Sequence, residues 1–274
     1  MLKGLTKYWG FYVVAAPDVT GVGVRDLKDA LDEVVEYSDW VSNLGRLDEM
    51  GRADKEVDNR LIASKQLRKV LAARVVVFRL FVQLAIEVDG TLQEKHKRIW
   101  LLFQLSDRPV PSSVDSHPFV WIIRECLARA SNEALNIQVE RLSDIRREYL
   151  TDSHFIFGLD EAQWASRLYP RCFISSTDPG TFRSIIRQVV EVFTMSPIKL
   201  IVSGTDLSLA DYQDDMTSGV SKAAGQVRVY HELGMFDTWE KLEPFLARYI
   251  PASFLKSPSG ELLTLRMREY LLGR

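Results

Sequence analysis

The chain runs a β-prone apolar segment, Phe155-Ile156-Phe157-Gly158-Leu159, straight into two adjacent carboxylates, Asp160 and Glu161, with an amide at Gln163. A buried strand has no reason to end on two charges, because neither is cheaply desolvated. The pair therefore belongs at the exposed C-terminal tip of a strand, which in open α/β sheets is where ligands bind. An aspartate there can hold a small, hard divalent cation, usually through water. A glutamate beside it can polarise a water for attack. One helix later, KLIVSGTD repeats the pattern with hydroxyls: a short strand running into Ser203 and Thr205. Groups of that kind can hydrogen-bond a phosphate or an attacking water.

These tips need a sheet to hold them. Residues 10–16 (GFYVVAA) predict a first strand, PDVTGVG a loop, and residues 24–44 a helix with Leu27, Leu31, Val34 and Val35 at helical spacing. The charged run RLDEMGRADKEVD then separates this from a long helix over 59–88. Residues 94–105 and 118–130 predict two more helices, split by the turn-rich DRPVPSSVDSHP, and 139–150 a polar one. Roughly 125 residues of mainly helical sequence thus precede the strand at 154–159. A Pro/Ser/Gly-bearing connection follows, then a helix at 181–195, a strand at 198–202, a further strand at 226–230, and helices at 238–249 and 261–272. Strand, helix, strand at this spacing predicts right-handed crossovers and a parallel sheet.

Composition narrows the partners. With 274 residues the chain can bury a sizeable core, and a net charge of −2 provides no global field for nucleic acid or an anionic membrane. Cys126 and Cys172 make no disulfide framework and fit a reducing, intracellular compartment, cytoplasmic or nuclear, although a secreted effector is compatible with them. His96, His117, His154 and His231 are scattered and have no partners at zinc-ligand spacing. The N-terminal MLKGLTKYWGFYVVAAP has a signal-peptide flavour, but Gly10 breaks its apolar part, so a helix end entering a buried strand is the expectation. The apolar stretch 75–88 carries Arg79, Gln83 and Glu87 and is too short to span a bilayer, so no membrane partner is expected.

A strand ending in Asp-Glu is the Walker B arrangement of P-loop ATPases with a catalytic glutamate, and the neighbouring strand in such enzymes ends in a polar sensor residue. The set WGFYVV, FIFGLDEAQW, KLIVSGTDLSL, HELGMFDTWE and REYLLGR resembles the ATPase module of fungal and oomycete Crinkler-type proteins. These look like AAA- or STAND-related ATPases, often joined to nuclease-like or other effector domains. The resemblance spans most of the chain, with residues 45–150 matched only in helical character. It implies a three-layer α/β, P-loop NTPase-like parallel sheet in a single domain over 1–274, a mainly helical insertion at 45–150, and the start of a C-terminal helical lid at 251–274. It further implies ATP and Mg²⁺ as cofactors, Asp160 as the metal ligand, Glu161 as the catalytic base, and Ser203 and Thr205 at the nucleotide's phosphates. Arg274 would begin the basic motif of the lid, and a homo-oligomer is an expected partner, with Arg228 and Arg248 as candidate fingers towards a neighbouring subunit.

The phosphate-binding loop itself, G-x-x-x-x-G-K-[ST], is not in this sequence: none of the 15 glycines is followed by lysine. The resemblance places that loop ahead of the helix in which Met1 stands, so the domain is expected to be incomplete at its N-terminus, and ATP binding by these residues weak. TGVG before a helix is a poor substitute, because Asp26 occupies the third fingerprint position. Tyr8 and Trp9 beside Lys3 and Lys7 could stack a base, but read more simply as core aromatics at a helix end. The alternative function is a non-catalytic interaction or scaffold domain that keeps the fold around a degenerate nucleotide site.

Overall fold

The computed structural model describes residues 1–16, 22–106, 116–150, 154–175, 180–194, 199–204, 240, 251–255 and 257–271. The chain divides into two compact units, Met1–Ala224 and Gly225–Arg274. The larger is α/β and mostly helical, built on a three-stranded parallel sheet. The strands are β1 (Trp9–Val14), β2 (Phe155–Asp160) and β5 (Lys199–Val202), in the order β1-β2-β5.

β1 and β2 are rich in aromatic and β-branched residues, which suit a pleated surface covered on both sides. Their side chains alternate between faces as a period of two requires. Trp9, Phe11, Val13, Phe155, Phe157 and Leu159 point into the main core. That core is closed by α3 (Glu49–Asp89), α6 (Asn132–Tyr149) and α8 (Ile186–Thr194). Tyr12, Val14 and Ile156 line the opposite face under Leu5 of α1 (Leu2–Leu5) and Leu101 of α4 (Glu94–Leu105).

The helical region between β1 and β2 is present as expected, with different boundaries. The charged run predicted as a separator forms the first turns of α3, which starts at Glu49. Asp48 caps it by accepting from the Gly51 amide at 2.8 Å, so the charges lie on an exposed helical surface and need no loop. Gly90, in the left-handed region at φ 72°, ends the helix. The predicted helix over 24–44 is only α2 (Asp26–Asp32) followed by a 3₁₀ turn, Glu33–Glu36, and a second at Leu44–Arg46. Paired β-branched residues, Val34 and Val35, followed by Tyr37-Ser38-Asp39 account for the break. The helix expected over 118–130 is α5 (Pro118–Trp121) continued by a π-turn, Ile122–Cys126, and α6 starts at Asn132 with Ser131 as its cap. After β2 come α7 (Ala162–Arg167) and a short antiparallel hairpin, β3 (Phe173–Ile174) with β4 (Phe182–Arg183), where a connection and a helix start were expected. The strand at 226–230 and the helix at 238–249 lie outside the described residues. In the smaller unit, α9 (Ala252–Leu255) and α10 (Pro258–Leu271) are described.

Among the described residues β1 is an edge strand, and an edge leaves a row of backbone groups to be satisfied. Helical side chains satisfy them here. Trp100 Nε1 donates to the Gly10 carbonyl at 2.8 Å, Gln104 Oε1 accepts from the Tyr12 amide at 2.9 Å, and Arg74 donates to the Tyr12 carbonyl at 2.7 Å. Arg74 is fully buried, and its charge is matched by an equally buried Asp26 through contacts of 2.7 and 2.8 Å. Arg74 of α3 and Trp100 and Gln104 of α4 thus supply polar groups that satisfy this edge.

His117, at the start of α5, is built to stay neutral. Its Nδ1 accepts from the Phe119 amide at 3.2 Å, and Nε2 donates to the Phe103 carbonyl at 3.2 Å. Burial lowers its pKa to about 4, the Phe103 carbonyl opposing and the Arg74 charge reinforcing that shift. Between about pH 4 and the unfolded value of 6.5, the unfolded chain binds the proton more tightly. The stabilisation is therefore complete above about pH 6.5 and is lost as pH falls towards 4, in total about 3 kcal/mol. Urea midpoints at pH 7.5 and 4.5 should fall further for the parent than for His117→Asn, which keeps an acceptor for the Phe119 amide. Equal losses would remove His117 from the account.

Candidate functional site at the strand tips

Because the three strands are parallel, their C-terminal tips share one edge. Backbone contacts lash the tips together. The Ala15 amide donates to the Asp160 carbonyl at 2.9 Å, Ser203 N to Leu159 O at 2.9 Å, and Ala162 N to Ser203 O at 3.0 Å.

At the centre sits Asp160. Ser203 Oγ donates to its Oδ1 at 2.5 Å and the Glu161 amide reaches the same oxygen at 3.1 Å, while the Tyr12 hydroxyl donates to Oδ2 at 2.8 Å. Side chains from β1, from the last residue of β2 and from the residue that follows β5 therefore meet at one half-buried carboxylate. A carboxylate offers about four lone-pair sites, so three donors leave room for one more contact.

Glu161 adopts the left-handed conformation, φ 53° and ψ 34°, between the last residue of β2 and the first of α7. A non-glycine residue is uncommon there and costs of order 1 kcal/mol. The turn it makes takes the chain from strand to helix within a single residue. Gln163 Nε2 donates to Glu161 Oε2 and orients the carboxylate.

The structure thus brings Asp160, Glu161 and Ser203 to one sheet edge, as the sequence implied. Thr205, Arg228, Arg248 and Arg274 lie outside the described residues. Sequence reasoning missed Tyr12, although a signal existed: it carries the only hydroxyl in β1 and sits out of phase with Phe11 and Val13. TGVG does not make a phosphate cradle in its described part. The Gly23 amide already donates to the Leu105 carbonyl at 2.8 Å, and α2 opens with Asp26 and Asp29 in its first turn, which repel an anion. Trp9 is a core residue, 5.5 Å from Phe78 between ring centroids, and Tyr8 packs at 5.6 Å against His154.

Among the described residues no three His, Cys, Asp or Glu side chains form a metal-holding group. What Asp160, Glu161 and Ser203 present is a small set of hard oxygens without an all-protein cage. That suits Mg²⁺, which retains waters and is bound by one or two carboxylates plus ligand phosphates. No helix among the described residues is long and apolar enough to cross a membrane. Compared with models of protein families, with characterised proteins and with solved structures, the chain matches none.

Proposed function

We propose that this chain is the core of a nucleotide-dependent switch or ATPase module of the AAA/STAND-like, Crinkler type, centred on Asp160. The observation that carries the reading is the meeting of Asp160 and Ser203 at 2.5 Å across the tips of adjacent parallel strands, with Glu161 next in sequence. A bare Asp-Glu strand end is a weak signal, and a hydroxyl delivered to it from the neighbouring strand makes it more specific.

When bound, a Mg²⁺-nucleotide supplies the electrophilic phosphate and neutralises its charge. Asp160 would hold the ion through water, with its orientation set by three donors. Glu161, steadied by Gln163, keeps Oε1 to accept a proton from an attacking water. Ser203 Oγ, held at Asp160, would hydrogen-bond a phosphate oxygen or that water. Phosphoryl transfer depends almost entirely on such positioning and on electrostatic stabilisation.

A second reading, a scaffold that retains the fold around a degenerate nucleotide site, is favoured by one observation: the sequence contains no G-x-x-x-x-G-K. For residues 1–274, calorimetry should show weak ATP affinity, Kd about 1 mM or above, corresponding to no more than about 4 kcal/mol. Hydrolysis should be negligible, and the residual Mg²⁺-dependent binding should vanish in Asp160→Asn. Binding that ignores Mg²⁺ and Asp160 would leave the scaffold reading. Micromolar, Mg²⁺-dependent affinity would mean a phosphate cradle of another kind.

A further inference from the structure

Asp160 is held from both sides, and the two holders differ in kind. Ser203 directly follows the short, half-exposed β5. Tyr12 belongs to β1, all six residues of which are buried, and its backbone is clamped twice, the amide by Gln104 and the carbonyl by Arg74. Arg74 is itself fixed by buried Asp26. The loop glycine at position 23, φ 93°, packs so closely against this strand that a Cβ there would lie 2.6 Å from Val14 Cγ1 and 3.4 Å from Tyr12 Cε1. The phenol is therefore a rigid post: ring packed, backbone pinned, hydroxyl directed 2.8 Å to Oδ2 of Asp160.

Nothing in the packing of the apolar face requires that hydroxyl. Its neighbours there are Val14, Leu5, Leu101 and Ile156, among which phenylalanine would fit as well. What the oxygen adds is a fixed rotamer for the carboxylate and a donor on the oxygen that Ser203 does not reach. Groups of this type behind a metal-binding carboxylate set its direction and basicity, and removing one typically weakens metal affinity 10- to 100-fold.

We propose that Tyr12 is a positioning residue for the cation site: its hydroxyl holds Asp160 in the orientation that receives a divalent ion. The proposal rests on the reading of Asp160 given above. Ser203 holds Oδ1 of the carboxylate, while Tyr12 fixes Oδ2.

The test is Mn²⁺ affinity of the full 274-residue chain, from the free-ion electron paramagnetic resonance signal. Tyr12→Phe should lower affinity about tenfold while its circular dichroism and melting temperature stay near the parent's. Tyr12→4-aminophenylalanine, which restores a donor on the same ring, should recover most of that loss, a recovery no purely structural role would produce. Asp160→Asn should abolish the site. If Asp160→Asn abolishes binding and Tyr12→Phe leaves affinity unchanged, the role of Tyr12 is refuted and the Asp160 reading stands. If the parent binds no Mn²⁺, or Asp160→Asn binds as the parent does, both fall.

Discussion

Replacing Arg74 by methionine should cost about 3–5 kcal/mol of stability, because it leaves Asp26 buried with no counter-charge. The side chain is fully enclosed and ties three elements together: α3 that carries it, Asp26 on α2, and the Tyr12 carbonyl on the open edge of β1. Its guanidinium also lies 4.4 Å from the Phe119 ring, so the loss of planar cation–π packing adds to the loss of charge pairing. Methionine restores volume but removes the hydrogen bond to the Tyr12 carbonyl, a further loss of about 1 kcal/mol. Chemical denaturation of Arg74→Met, Asp26→Asn and the double variant would measure this. The double variant should be markedly less damaged than the sum of the singles, since it buries no lone charge. Additive losses would mean that the pair does not act as a unit.

Gly10→Ala should be the second severe change. A Cβ at this position would sit 2.1 Å from the Ile156 carbonyl oxygen and 2.6 Å from Leu5 Cδ2. The first is backbone of the adjacent strand, so β1 and β2 must separate or α1 must leave the sheet. The expected loss is about 3 kcal/mol or more, at the upper end of overpacking effects. Gly158→Ala on β2 provides the contrast. There a Cβ would meet Met1 Sδ at 2.5 Å, the end of a flexible side chain that can swing away. Thermal melts should separate the two by a wide margin, and similar losses would show that α1 packing, rather than strand pairing, is the common element.

Much of this site could be read before any coordinates, because its signal is local. An apolar run that stops on Asp160-Glu161 and a second that stops on Ser203 each announce a strand tip, and parallel topology puts both at one edge. The helical character of the region between β1 and β2 was equally plain, since periodic apolar positions such as Leu67, Val70, Leu71, Phe78 and Val82 recur along α3. What stayed hidden was non-local. That β1 is an edge strand, and that Trp100, Gln104 and Arg74 supply its missing partners, depends on contacts 62–94 residues apart. Arg74 reads in sequence as one more charge on a helix, and Tyr12 as one more aromatic in a strand. The start of α3 was missed for a different reason: charged residues over 46–58 look like a loop until Asp48 is recognised as a cap.

A divalent ion held at the strand tips by Asp160 would be located by Mn²⁺-induced broadening of backbone amide resonances. Strand tips and strand starts are about 17 Å apart, from five residue steps of about 3.3 Å each. In a substoichiometric titration the amides of Ala15, Asp160, Glu161, Ala162 and Ser203 should broaden first and those of Trp9 and Phe155 last, and Asp160→Asn should abolish the effect. Broadening centred elsewhere, or unchanged in Asp160→Asn, would contradict an ion site at Asp160.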